Sequence, residues 1–109
     1  MGTQLFEKLF SLKGKTALIS GGYKGIGRLF ADIYAEAGAN VAIVARNREA
    51  CEQAAKEISA KYGVKAIGKS MDVHKTEIVN KVVQEIIDEL KTIDILVNSA
   101  GVPGSEKPV

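Results

Sequence analysis

Three short stretches dominated by apolar residues punctuate the chain, at 15–20 around Ala17-Leu18-Ile19, at 41–45, and at 93–97. Each is strand-sized, rich in β-branched residues and bounded by polar or turn residues. Continuous rather than alternating apolarity predicts strands covered on both faces, as in a parallel sheet flanked by helices. Between these stretches the period lengthens to that of a helix. Ile26, Leu29, Phe30, Ile33, Tyr34 and Ala37 fall on one face of a first helix that stops at Gly38. A second helix runs from a cap at Asn47 through Cys51, Ala54, Ala55, Ile58 and Tyr62 to a stop at Gly63. A third, after His74, carries Ile78, Val79, Val82, Val83, Ile86, Ile87 and Leu90 on a wide stripe. The three-and-four spacing is that of amphipathic helices, and the glycines suit a left-handed stop. A weaker strand at 64–71, diluted by Gly68, Lys69 and Ser70, suits a sheet edge.

The resulting order, strand then helix three times and a fourth strand, predicts right-handed crossovers and a parallel α/β sheet. Reversal of winding after the third strand places the fourth beside the first. The expectation is a partial doubly wound, Rossmann-like sheet of order 3-2-1-4, with a ligand crevice at its carboxyl ends. All 109 residues are read as one domain. It comprises an N-terminal segment 1–13, a βαβαβαβ core over 14–102 and a loop at 103–109.

Composition narrows the function classes. The 109 residues are 46% hydrophobic and 26% charged, with a net charge of +2 spread along the chain. That balance suits one small globular domain and gives no basic stripe for nucleic acid or a membrane surface. No apolar stretch reaches membrane-spanning length, and the first thirteen residues have no signal-peptide core. A cytoplasmic protein is expected. Cys51 is the single cysteine, so no internal disulfide forms, and its place on the apolar helix face predicts a buried, inert thiol. His74 has no neighbours at metal-ligand spacing, and no metal site is expected.

The chemistry concentrates in the turn Ser20-Gly21-Gly22-Tyr23-Lys24-Gly25-Ile26-Gly27 between the first strand and first helix. Gly21 permits a tight turn, Gly25 lets the backbone approach a pyrophosphate, and Gly27 lets the helix pack close to the sheet. The unpaired N–H groups and dipole of the helix start favour a phosphate. At the end of the second strand, an acidic residue would accept hydrogen bonds from a ribose 2′-hydroxyl, but Ala45 stands there, followed by Arg46. The guanidinium fork of Arg46 matches a 2′-phosphate, which predicts NADP(H) over NAD(H).

The glycine spacing, three residues and then one, resembles the Thr-Gly-x-x-x-Gly-Ile-Gly motif of short-chain dehydrogenases/reductases, with Ser20 in place of Thr. Asn98-Ser99-Ala100-Gly101 resembles that family's Asn-Asn-Ala-Gly motif, with Ser99 replacing the second Asn. Asp72-Val73 is similar to the pair that meets adenine, and 93–97 to the family's fourth strand. The opening stretch at 9–15 resembles gluconate 5-dehydrogenase-type and 3-oxoacyl-ACP reductase-type members.

The resemblance implies an oxidoreductase that exchanges a hydride between a nicotinamide dinucleotide and a small alcohol or carbonyl. The cofactor contacts would be Gly21, Tyr23, Lys24, Gly25, Ile26, Gly27, Arg46, Asp72, Val73, Asn98, Ala100 and Gly101. Lys24 sits where NADP-preferring members often carry a basic residue. The family's catalytic Tyr is followed four residues later by Lys. Four residues after Tyr23, Tyr34 and Tyr62 stand Gly27, Gly38 and Ala66, so no catalytic residue is assigned. The sequence reads as a cofactor-binding front half, inactive by itself and prone to homo-oligomerise through the edge its fourth strand leaves open. A rival reading is a non-catalytic dinucleotide-binding or assembly module.

Overall fold

In the computed structural model, residues 11–99 are described. The elements are β1 (Thr16–Ser20), α1 (Gly25–Glu36), β2 (Asn40–Ala45), α2 (Arg48–Tyr62), β3 (Ala66–Ser70), α3 (Thr76–Leu90) and β4 (Ile95–Asn98). All strand pairings are parallel and the sheet order is β3-β2-β1-β4. The expected order therefore holds, with the weak strand at one edge and β4 beside β1.

The apolarity of β1 and β2 follows from burial on both faces. On one face Ala17, Ile19, Val41 and Ile43 meet Ala31 and Ala35 of α1 and Cys51, Ala54 and Ile58 of α2. On the other, Leu18, Ala42, Val44 and Met71 meet Val82, Ile86 and Leu90 of α3. Helix α2 is closed as its sequence requires. The Asn47 side chain accepts from the Ala50 N–H at 3.0 Å, and Gly63 ends the helix at φ +73°. Ion pairs tie neighbouring elements at their rims: Arg28 to Glu57 at 2.8 Å joins α1 and α2 within one layer, and Lys69 to Glu89 at 2.7 Å joins β3 to α3 across layers.

Helix α1 departs from expectation. Its large apolar stripe does not face the sheet: Ile26, Leu29 and Ile33 are about half exposed, and the buried positions are Gly27, Ala31 and Ala35. The small side chains let the helix axis sit close to β1, leaving no room beneath it for the larger ones. Ala31 and Ala35 lie four and eight residues after Gly27, so the three form a continuous contact row one turn apart.

Cys51 is fully buried, and desolvation pushes its thiol up to about 11, with Glu52 adding to the shift. Because the thiolate is the nucleophile, the native protein at pH 8 should resist iodoacetamide, and unfolding in urea should expose Cys51 to rapid alkylation. Equal rates in both states would contradict the burial.

Candidate dinucleotide site at the carboxyl ends of the sheet

Strand register brings the candidate loops together. Ser20 pairs with Val44 and Asn98, and Ala45 pairs with Ser70, so the turns after all four strands open on the same end of the sheet. There the 20–27 turn, Arg46, Asp72-Val73 and Asn98 form one rim, centred on the β1/β4 reversal of winding.

The glycine-rich turn is built by two conformational requirements and one steric one. Gly21 and Gly25 adopt φ of +76° and +59°, a region that costs other L-residues roughly 1–2 kcal/mol. Gly27 is excluded from carrying a side chain by contact, since a Cβ there would overlap the Gly21 carbonyl and the Ser99 hydroxyl. A Cβ on Gly25, by contrast, would meet nothing within 4 Å. The turn is anchored below by the Gly21 N–H donating to the Val44 carbonyl at 2.8 Å.

Helix α1 opens without a capping side chain: Lys24 is extended at φ −152°, and no acidic residue lies in the first turn. The Arg28 N–H already bonds the Lys24 carbonyl at 3.2 Å, leaving the N–H groups of Gly25, Ile26 and Gly27 as the helix's unpaired intrahelical donors. Beside them the Lys24 ammonium sits 5.5 Å from the centroid of the Tyr23 ring, a cation–π arrangement, while the ring's apolar body packs against the core. Ile26 is 51% exposed above the turn.

Across the rim, exposed Arg46 follows β2 and its carbonyl accepts from Ser70 Oγ at 3.2 Å, tying the loops after β2 and β3. The Asp72 carboxylate accepts the His74 backbone N–H at 3.0 Å. That bond chiefly holds the Asp72 carboxyl below its ordinary pKa; partial desolvation pulls the other way, and the positive charge of Arg46 adds to the depression. Val73 is 47% exposed next to it. Asn98 ends β4 on the exposed side of the rim. Ala100 and Gly101 lie outside the described residues.

Sequence reasoning missed the structural part played by Ser99. Its hydroxyl donates to the Ser20 carbonyl at 2.6 Å and its N–H to the same oxygen at 3.0 Å, stapling the end of β4 to the end of β1 under Gly27. The signal was the replacement of Asn by a smaller hydroxyl residue in the second motif. Asp94 acts similarly at the other end, accepting the Thr16 N–H at 3.0 Å.

A parallel 3-2-1-4 sheet whose first strand leads through a glycine-rich turn into an uncapped helix defines a Rossmann-like α/β fold. The sequence profile described as short chain dehydrogenase matches residues 15–109, and the chain belongs to that family. It is 44% identical over 91 residues to the 3-oxoacyl-[acyl-carrier-protein] reductase of Aquifex aeolicus, covering 84% of this chain and 37% of the relative. It is 43% identical over 100 residues to the sorbose reductase of Candida albicans, covering 92% and 35%.

Among solved structures, L-sorbose reductase from Gluconobacter frateurii, complexed with NADPH and L-sorbose, superimposes with a TM-score of 0.80 at 35% identity, covering 90% of this chain and 37% of that one. RhlG of Pseudomonas aeruginosa, in its NADP active-site complex, gives 0.76 at 39% identity, covering 85% and 37%. The chain thus spans little more than a third of the length of these relatives.

Proposed function

We propose that this chain is the NADP(H)-binding part of an oxidoreductase that exchanges a hydride between the dinucleotide and a small alcohol or carbonyl. One observation carries the reading: the N–H groups of Gly25, Ile26 and Gly27 at the start of α1 have no backbone partner among the described residues, in a turn kept tight by Gly21 and Gly27, with open space at Gly25 and on the same rim as Arg46. That donor set fits an anionic diphosphate. The N–H groups of Gly25, Ile26 and Gly27 bind the paired phosphates, and Tyr23 and Lys24 flank them. Arg46 takes the ribose 2′-phosphate, with no carboxylate at Ala45 to repel it. Asp72 and Val73 line the adenine end, and Asn98 lines the wall toward the nicotinamide. The dinucleotide, when bound, supplies the hydride. The NADP and NADPH held by the two structural relatives support the cofactor reading.

Proton transfer to the substrate falls to residues outside these 109, because no Tyr here has a Lys four positions on. That same feature favours, as a second reading, a module that binds dinucleotide without catalysis; a hydride-transfer assay on the protein separates the two. The location we assign is cytosolic. No described helix is long and apolar enough to cross a membrane. We also read the chain as self-associating through the β4 edge, where Leu96 is 69% exposed.

Arg46→Ala tests the assignment. A charged hydrogen bond contributes about 1.5–3 kcal/mol, so NADPH affinity should fall roughly tenfold to a hundredfold while NADH affinity barely moves. Equal losses for both cofactors in a fluorescence titration would remove Arg46 from the 2′-phosphate.

A further inference from the structure

Ser70 closes β3 at the rim of the site and lies outside the set of residues assigned to the dinucleotide. Alternation along the strand fixes which way it points. Gly68, two residues before, faces α2, since a Cβ there would press on the main chain of Cys51 and Glu52. Lys69 and Met71 turn the other way, toward α3: Lys69 pairs with Glu85 and Glu89, and Met71 packs with Val82, Ile86 and Leu90. Ser70 therefore shares the side of Gly68, where the chain passes from β2 into α2. There its hydroxyl donates to the Arg46 carbonyl at 3.2 Å.

Arg46 needs such support. Its side chain is exposed, and the ion pairs among the described residues belong to Arg28, Arg48 and Lys69. With no carboxylate among those residues gripping the guanidinium, its place depends on the main chain beneath it. That main chain is held at three successive carbonyls. The Ala45 carbonyl accepts the Met71 N–H at 2.8 Å, the Arg46 carbonyl accepts Ser70 Oγ, and the Asn47 carbonyl accepts the Cys51 N–H at 3.1 Å. The outer two are main-chain bonds. The middle one alone depends on a side chain, and it falls on Arg46 itself. The charge of Arg46 is also felt on the loop that follows Ser70: the Asp72 carboxyl is held low chiefly by the His74 N–H, and Arg46 adds to that depression.

We propose that Ser70 is a positioning residue for cofactor selection: by fixing the Arg46 carbonyl, it holds the guanidinium on the rim where a ribose 2′-phosphate arrives. It does so without touching the dinucleotide. Once the hydroxyl is removed, the Arg46 peptide turns more freely between its two anchored neighbours, and the long side chain spends less time in place. The ordering must then be supplied on binding, so affinity is lost only for a ligand that carries the phosphate. This inference rests on the assignment of Arg46 to the 2′-phosphate.

Titration of the full chain with NADPH and with NADH tests the proposal on Ser70→Ala, Ser70→Val and Ser70→Thr. Loss of one neutral hydrogen bond should weaken NADPH binding about threefold to tenfold, with NADH affinity unchanged. Val and Thr share a shape and both suit a strand. Ser70→Val should therefore behave as Ser70→Ala does, while Ser70→Thr restores most of the affinity. In an Arg46→Ala background, Ser70→Ala should cost nothing further, because the two act through one group. A merely structural Ser70 would weaken both cofactors alike, and would go on doing so without Arg46; either result overturns the proposal. So does a Ser70→Ala variant that binds NADPH as the parent does. Failure of the underlying assignment is seen separately. Arg46→Ala alone would then weaken both cofactors equally, or the parent would bind neither, and the role of Ser70 would fall with it.

Discussion

Gly27→Val is expected to abolish dinucleotide binding while also lowering stability. The atoms that would meet the new side chain are the Gly21 carbonyl, part of a turn fixed by its own bond to Val44, and the Ser99 hydroxyl, held under the turn by Ser20. None of these is the loose end of a flexible side chain. Room can be made only by lifting α1 from β1, which carries the N–H groups of Gly25, Ile26 and Gly27 away from their common focus. Losing the alignment of even two charge-assisted bonds, at about 1.5–3 kcal/mol each, weakens affinity by more than roughly a hundredfold. The overpacking itself costs about 1–3 kcal/mol of folding free energy.

Gly25→Ala is the matched control. Its Cβ points into open space, so only the left-handed φ is strained, at roughly 1–2 kcal/mol. NADPH titration and urea unfolding of both variants test the argument. The reading is falsified if Gly27→Val binds NADPH as the parent does, or if Gly25→Ala is the more damaging of the two in unfolding.

The sheet and its order were legible because hydropathy reports burial, and burial on both faces is peculiar to strands flanked by helices. β1 and β2 are apolar and buried through their middles, Ala17–Ile19 and Val41–Val44; β3 mixes Gly68, Lys69 and Ser70 and lies at the edge. The glycine turn was legible for a different reason: positive φ and close approach leave a mark in residue type, and Gly21, Gly25 and Gly27 each meet one of those demands. The face that α1 buries was not legible. A rule that sends the largest apolar side chains inward selects Ile26, Leu29, Phe30 and Ile33, whereas helix-to-sheet distance selects Gly27, Ala31 and Ala35. Distance between backbones is set by tertiary contact and leaves no trace in the apolar period. Ser99 was hidden for the same reason, since its partner is a main-chain carbonyl 79 residues away.

Gly68→Ala sets intrinsic propensity directly against packing. In a strand interior, alanine is favoured over glycine by about 0.5–1 kcal/mol through the entropy of the unfolded chain, and the sequence by itself makes Gly68 a weak point of β3. The structure reverses the sign. Helix α2 crosses β3 so closely that a Cβ on Gly68 would overlap the carbonyl group of Cys51 and press on the Glu52 N–H. Both are main-chain atoms in the second turn of a fifteen-residue helix, so neither can swing aside. The helix must shift bodily, loosening Cys51, Ala54, Ala55 and Ile58, which are its buried contacts with the sheet. Overpacking of this kind costs about 1–3 kcal/mol and more where backbone resists, which exceeds the propensity gain. The substitution should therefore lower the urea midpoint, and it should speed alkylation of Cys51 in the native state, because the thiol lies at the seam being opened. A variant as stable as the parent, with Cys51 still protected, would mean that α2 does not rest on Gly68 as closely as this packing requires.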